Sequence, residues 1–70
     1  MEVVQLLSAE RISAGVSMNR LAQKSGLSQS MISLLERGMR NPTLDTLLRI
    51  AIALDVDLSQ LLKKAAKRLK

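Results

Sequence analysis

The sequence predicts an all-α domain of five short helices, and three observations support this prediction. Apolar residues recur every three to four positions along five segments, as they do on the buried face of a helix. Capping residues and glycines separate these segments. No segment alternates apolar and polar residues, so nothing indicates a β-strand. With 70 residues, the chain is expected to form a single small domain over residues 1–70.

Capping residues set the boundaries of the predicted helices. A serine, threonine or aspartate before a helix accepts a hydrogen bond from its first turn, and a glycine after it adopts the left-handed conformation of a C-terminal cap. The predicted N-caps are Ser17, Ser28, Thr43 and Asp57, and the glycines that end the first three helices are Gly15, Gly26 and Gly38. The predicted helices therefore span residues 1–14, 18–25, 29–37, 44–54 and 58–70.

Each predicted helix has an apolar face that can be buried. In the first helix, this face carries Val4, Leu7, Arg11 and Ala14, flanked by Val3 and Ile12. The fourth helix carries Leu44, Leu47, Leu48, Ala51 and Leu54, and the fifth carries Leu61, Leu62, Ala65 and Leu69. The core is predicted to include Leu21, Ala22, Leu27, Ile32, Leu35, Leu47, Leu48, Ala51 and Leu54.

The composition excludes several classes of function. The chain has no Phe, Trp, Tyr, His or Cys, which excludes a disulfide framework, a zinc finger and thiol or imidazole catalysis. No carboxylate pair or Ser–Lys constellation stands out, so we expect no enzyme, no cofactor, no metal site and no small-molecule ligand. The net charge of +5 instead favours a polyanionic partner.

The same composition argues against a membrane protein. The longest apolar run, residues 50–54, has five residues, whereas a span needs about 20. The first residues lack a cationic leader and a cleavage site. The sequence therefore predicts a cytoplasmic protein.

Residues 18–37 form the motif that carries the functional prediction. Two short helices are joined by Gly26-Leu27-Ser28, and Ala22 supplies a small residue where the helices cross closely. Counted from Met18, the fourth, fifth, ninth, tenth, fifteenth and eighteenth places hold Leu21, Ala22, Gly26, Leu27, Ile32 and Leu35.

This motif resembles the helix-turn-helix of the Cro/C1-type (XRE) family of phage and bacterial repressors. The resemblance covers residues 4–62 and is densest at residues 27–38 and 41–47. Two residues depart from the family pattern. Ser25 stands where the family has an apolar residue, and we expect its hydroxyl to bond back to the helix. Met18 stands where many members have a glutamine that supports the recognition helix.

The resemblance implies a lambda-repressor-like fold and a transcriptional regulator that binds double-stranded DNA. Residues 29–37 would be the recognition helix, which enters the major groove. If Ile32 and Leu35 face the core, the residues that meet base edges are Gln29, Ser30, Ser33 and Leu34, with Met31 as a further candidate. The alternative is that Gln29 and Ser30 are ordinary polar residues of a first helical turn.

Phosphate contacts are predicted around this helix. Free backbone amides at the start of the second helix favour an anion, and the turn after the third helix can contact the neighbouring strand. The predicted residues are Ser17, Met18, Asn19, Ser28, Arg40, Asn41 and Arg37. For Arg37 and Arg20, a solvated surface charge remains the alternative.

The resemblance also implies an ion pair between Arg11 and Glu36. Matching residues of the family form a partly buried salt bridge that orients the recognition helix. The alternative is two unrelated surface charges.

A homodimer, at least on DNA, is the expected assembly through the region of the fourth and fifth helices, because the apolar face of residues 58–69 exceeds what one small core needs. The predicted interface residues are Leu58, Leu61, Leu62 and Leu69. Residues 63–70 hold five of the eleven cations and are interpreted first as a solvated helix end. The alternatives are a dimer contact, a non-specific DNA contact or a lead into a further domain. A protein-interaction module such as an antitoxin, with secondary DNA binding, is the alternative function.

Overall fold

The computed structural model describes residues 1–69 and contains five helices in the predicted order. They are α1 (Glu2–Ser13), α2 (Met18–Ser25), α3 (Gln29–Glu36), α4 (Leu44–Leu54) and α5 (Leu58–Arg68). No β-strand occurs within residues 1–69, so the all-α prediction is confirmed. The third helix ends one residue earlier than predicted, with Arg37 as its C-cap. The predicted end of the fifth helix at Lys70 lies outside the described residues.

The four predicted N-caps all make their hydrogen bonds. Ser17, Ser28 and Thr43 accept from the backbone nitrogen three residues later, at 3.0, 3.0 and 3.2 Å. Asp57 accepts from the hydroxyl of Ser59 at 2.7 Å and from its backbone nitrogen at 2.9 Å. These two bonds lower the pKa of the Asp57 carboxyl below its ordinary value.

Left-handed residues follow each of the first four helices, and one of the four is not a glycine. Gly26 has φ +74° and ends α2 as predicted. Asp55 ends α4 at φ +57°. No glycine in the sequence marks this position, but aspartate tolerates the left-handed region better than most residues do.

The hydrophobic core takes side chains from all five helices. Its largest fully buried side chains are Leu21, Ile32 and Leu35, which join α2 to α3. The predicted burial of Ala22, Leu47 and Ala51 is also confirmed. Leu27 and Leu54 are half-buried at its edge. The other core residues are Val3, Val4, Leu7, Ile50, Leu58, Leu61 and Ala65.

The predicted burial of Leu48 is wrong. Leu48 is 42% exposed, and its neighbours one turn away, Leu44 and Ile52, are 63% and 76% exposed. One residue rotates a helix by about 100°, so the face that α1 and α2 cover takes Leu47, Ile50 and Ala51 but not Leu48. Leu44, Leu48 and Ile52 form a separate exposed stripe, which we call the α4 stripe.

The apolar face predicted for the first helix is shorter than expected. Val3, Val4 and Leu7 are buried, but Ile12 is 64% exposed. Ala14 is exposed because α1 ends at Ser13 and the chain then turns.

Packing leaves one side of α3 uncovered. α1 packs against α5, α4 and α3, while α2 packs against α3 and α4.

An ion pair of 2.6 Å between Arg68 and Glu2 joins the end of α5 to the start of α1. Within the described part of the chain, no helix has the length and apolar character that a membrane crossing requires.

Candidate nucleic-acid interface

The turn between α2 and α3 is held by a buried serine. The Ser25 hydroxyl donates to the carbonyl of Ala22 at 3.4 Å and accepts from the backbone nitrogen of Leu27 at the same distance. The predicted bond back to the helix is therefore confirmed. Both polar partners lie in or next to the turn, so a hydroxyl replaces the usual apolar residue without being left unpaired.

One open groove runs along the uncovered side of α3. Its volume is about 440 Å³, and it is lined by Gln29, Ser30, Ser33, Leu34 and Arg37. We call it the α3 groove. Gln29 and Ser30 are exposed at its start, and Ser33 and Leu34 are half-buried along its length. The structure thus brings together four of the five predicted base-reading residues.

Met31 is the fifth predicted base-reading residue, and it lies elsewhere. It is half-buried and packs against the hydrophobic core instead of lining the α3 groove. Residues i and i+1 point about 100° apart on a helix, so Met31 leaves the face that Ser30 occupies.

Most of the predicted phosphate-contacting residues come directly before or after the segment that lines the α3 groove. Ser17, Asn19, Ser28, Arg40 and Asn41 are exposed. Met18 is half-buried against the core, so only its backbone nitrogen is suited to the predicted role. These positions lie at the N-termini of α2 and α3 and in the turn that follows α3.

Three arginines between α2 and the turn after α3 carry exposed positive charge. Arg20, Arg37 and Arg40 are exposed, and within residues 1–69 none of them forms an ion pair. By contrast, Arg49 pairs with Asp45 at 2.8 Å. The unpaired arginines lie in α2, at the end of α3 and in the turn after it, so their charge is available to an anion.

Arg11 and Glu36 form the ion pair that the resemblance implies. Arg11 Nε lies 2.7 Å from Glu36 Oε2, and Nη2 lies 3.0 Å from Oε1. Each side chain is only 12% exposed. The hydrogen bond with Glu36 raises the pKa of Arg11 against the opposing effect of burial. This bidentate pair ties the end of α3 to α1.

Further polar contacts complete the environment of the pair. The Ser8 hydroxyl donates to Glu36 Oε1 at 3.0 Å, and Arg11 Nη1 donates to the carbonyl of Val16 at 2.8 Å. Gln5 Nε2 donates to the backbone carbonyl of Glu36 at 3.3 Å. Ser8 and Gln5 are not among the predicted site residues. Gln5, Ser8 and Arg11 follow one another at intervals of three residues, and this spacing is the signal that places them on one face of α1.

The predicted dimer residues divide into two sets. Leu58 and Leu61 are 7% and 4% exposed because they pack into the core of their own chain. Their assignment to a dimer surface is therefore wrong. Leu62 and Leu69 are 42% and 81% exposed and line a shallow groove of about 320 Å³ beside Met1 and Val3.

The five helices and the tight α2–α3 pair define a domain of the helix-turn-helix class. Residues 7–61 match the model of a protein family described as helix-turn-helix. The chain belongs to this family, in which the Cro/C1-type (XRE) domains fall.

Relatives and solved structures of the same family are regulators, not enzymes. An uncharacterized HTH-type transcriptional regulator of Mycobacterium tuberculosis, Rv0474, is 42% identical over 59 residues, which cover 84% of this chain and 42% of that protein. The chain thus spans less than half the length of this relative. The restriction-modification controller protein C.AhdI from Aeromonas hydrophila superposes with a TM-score of 0.80 at 38% identity, covering 86% of this chain and 91% of that one.

A structure of the biofilm regulator SinR was solved in complex with DNA. It superposes on this chain with a TM-score of 0.78 at 33% identity, covering 86% of this chain and 97% of the SinR chain.

Proposed function

We propose that this chain is a transcriptional regulator that binds double-stranded DNA and reads its sequence through the α3 groove. The observation that carries this proposal is the lining of the groove, which combines an amide, two hydroxyls, an apolar side chain and a guanidinium on one exposed helix face. A net charge of +5 adds attraction to the phosphate backbone. The DNA-bound SinR structure and the regulator relatives support the same function. We infer that this regulator acts in the cytoplasm, where it meets DNA.

The chemistry of the groove suits base edges in the major groove. An amide such as that of Gln29 can make two hydrogen bonds with adenine, and the hydroxyls of Ser30 and Ser33 can donate to or accept from several bases. Leu34 suits the methyl group of thymine. Phosphates would meet the backbone amides at the starts of α2 and α3, where the helix dipoles favour an anion.

Gln29→Ala is expected to weaken binding to the preferred site by about 1–3 kcal/mol and to relax the preference at one base pair. Non-specific affinity should barely change, because a neutral side chain releases no counterions. Fluorescence anisotropy with the preferred and a scrambled duplex measures both. Gln60→Ala, an exchange of the same type on α5, is the control and should bind both duplexes as the parent does.

Arg40→Ala is expected to weaken all duplexes alike. Loss of one phosphate contact should reduce the slope of log affinity against log salt by about one unit per protomer. The same titration at several salt concentrations measures this slope. Selective loss of the preferred site, with an unchanged slope, would contradict a phosphate contact and make Arg40 a base reader.

A homodimer fits this function, because two recognition helices read two half-sites about 34 Å apart. The α4 stripe is the surface we assign to the second copy. Its neighbours Asp45 and Arg49 neutralise each other at 2.8 Å. The exposed apolar residues of α5 instead lie on a helix whose three lysines form no ion pair within residues 1–69, so a two-fold interface there would bring two lysine-rich helices together.

Ile52→Asp is expected to shift the protein from dimer to monomer in equilibrium sedimentation, because it places a charge on the α4 stripe. Ile12→Asp is the matched control, since Ile12 is 64% exposed on α1 and lies outside the stripe. This variant should remain dimeric. A parent protein that is monomeric at high concentration and binds an operator as one copy would overturn the dimer.

Selection of sites from random duplex DNA tests the proposed function as a whole. The parent protein should enrich a site with two-fold symmetry. If it prefers no duplex, the alternative of a helical protein-interaction module replaces the DNA-reading function.

A further inference from the structure

Arg37 lies in the α3 groove together with the predicted base readers, although sequence reasoning places it with the phosphate contacts. It follows Ser33 by four residues and Gln29 by eight, and all three line the groove. This spacing places them on one face of a helix. Arg37 is the only charged residue in that lining.

The guanidinium of Arg37 is not used inside the protein. It forms no ion pair in the part of the chain that the structure describes. The neighbouring carboxylate of Glu36 is occupied by Arg11 at 2.7 Å. The Arg37 side chain also donates no hydrogen bond within residues 1–69, so its five N–H donors are available to a ligand.

Length and geometry suit a base edge. A recognition helix inserts its N-terminal turn most deeply, so only a long side chain reaches the bases from its C-terminal end. Arginine has this length, and its planar fork matches O6 and N7 of guanine in two parallel hydrogen bonds. Eight residues of α-helix advance about 12 Å, so a helix parallel to the DNA axis would span roughly three to four base pairs at 3.4 Å each, and an inclined helix fewer.

We infer that Arg37 is a specificity-determining residue that reads a guanine within about four base pairs of the base pair read by Gln29. This inference rests on the proposed function, because it assumes that α3 lies in the major groove. The α3 groove then has a charged base-reading residue, Arg37, at its far end and a neutral one, Gln29, at its start.

The test is site selection from random duplex DNA with three proteins: the parent, Arg37→Gln and Arg20→Gln. Arg20 is the matched control, because it is also exposed and unpaired but lies on α2. The parent should select a guanine within the stated distance of the base pair that Gln29→Ala relaxes. Arg37→Gln should lose about 10-fold or more of the discrimination at this base pair. Arg20→Gln should keep the parent's preference at every position.

Two results overturn the inference, and they are distinguishable. If the parent selects a site and Arg37→Gln keeps the same preference at every position while binding all duplexes more weakly, Arg37 contacts a phosphate. If the parent selects no sequence, the proposed function has failed and the inference fails with it. A circular dichroism melt of each variant verifies that the fold is retained.

Discussion

Leu35→Ala is expected to lower the free energy of unfolding by about 2–5 kcal/mol. Leu35 is 2% exposed and anchors α3 between α1 and α2. Its truncation removes buried apolar area and leaves a cavity that the close-packed neighbours fill only in part. A domain of 70 residues has a total stability of about 4–10 kcal/mol, so a large share of it would be lost.

Leu34→Ala is the matched control for this experiment. Leu34 is the preceding residue of the same helix, but it lies half-buried in the α3 groove. Urea unfolding followed by circular dichroism should show a much smaller loss of stability for Leu34→Ala than for Leu35→Ala. Equal thermal midpoints for the parent and Leu35→Ala would mean that α3 is rotated relative to the core.

Glu36→Ala is expected to lower the free energy of unfolding by about 3 kcal/mol, because it leaves a mostly buried guanidinium without its partner. The value lies at the lower end for buried pairs, since each side chain of the pair keeps 12% exposure. The pKa of Arg11 is raised by Glu36. A group with a raised folded pKa stabilises the fold below its unfolded value and loses this contribution only at strongly alkaline pH.

A double-mutant cycle isolates the interaction between Arg11 and Glu36. The single variants Arg11→Ala and Glu36→Ala are compared with the double variant by urea unfolding. Asp45 and Arg49 provide the control cycle, because their side chains are 74% and 52% exposed. Exposed pairs of this spacing contribute about 0.3–0.5 kcal/mol. A coupling energy for Arg11 and Glu36 no larger than this would refute their role in fixing α3 to α1.

Local signals in the sequence are sufficient to predict the helices and the motif. Ser17, Ser28 and Thr43 mark helix starts because an N-cap bond involves residues only three positions apart. Gly26 marks the turn because a left-handed residue is needed there. The residues that line the α3 groove can be predicted once the buried residues of the same helix are identified.

Tertiary packing determines which side chains of a wide apolar helix face are buried. Leu48 and Leu58 both belong to apolar faces that are wider than the neighbouring helices can cover. The packing of α4 against α1 and α2 exposes Leu48, and the packing of α5 against α1 buries Leu58. Periodicity alone does not select the covered stripe of such a face. For the same reason, periodicity does not predict that Met31, near the start of α3, packs against the core.

Amide chemical-shift mapping tests most directly whether the α3 groove is the DNA-binding surface. The ¹⁵N-labelled protein is titrated with the duplex recovered by site selection, and shifts are recorded for each backbone amide. The largest changes are expected at the starts of α2 and α3, along the α3 groove and in the turn that contains Arg40, with small changes along α5. Changes concentrated on α5 and the start of α1, with the α3 amides unmoved, would contradict DNA reading by α3.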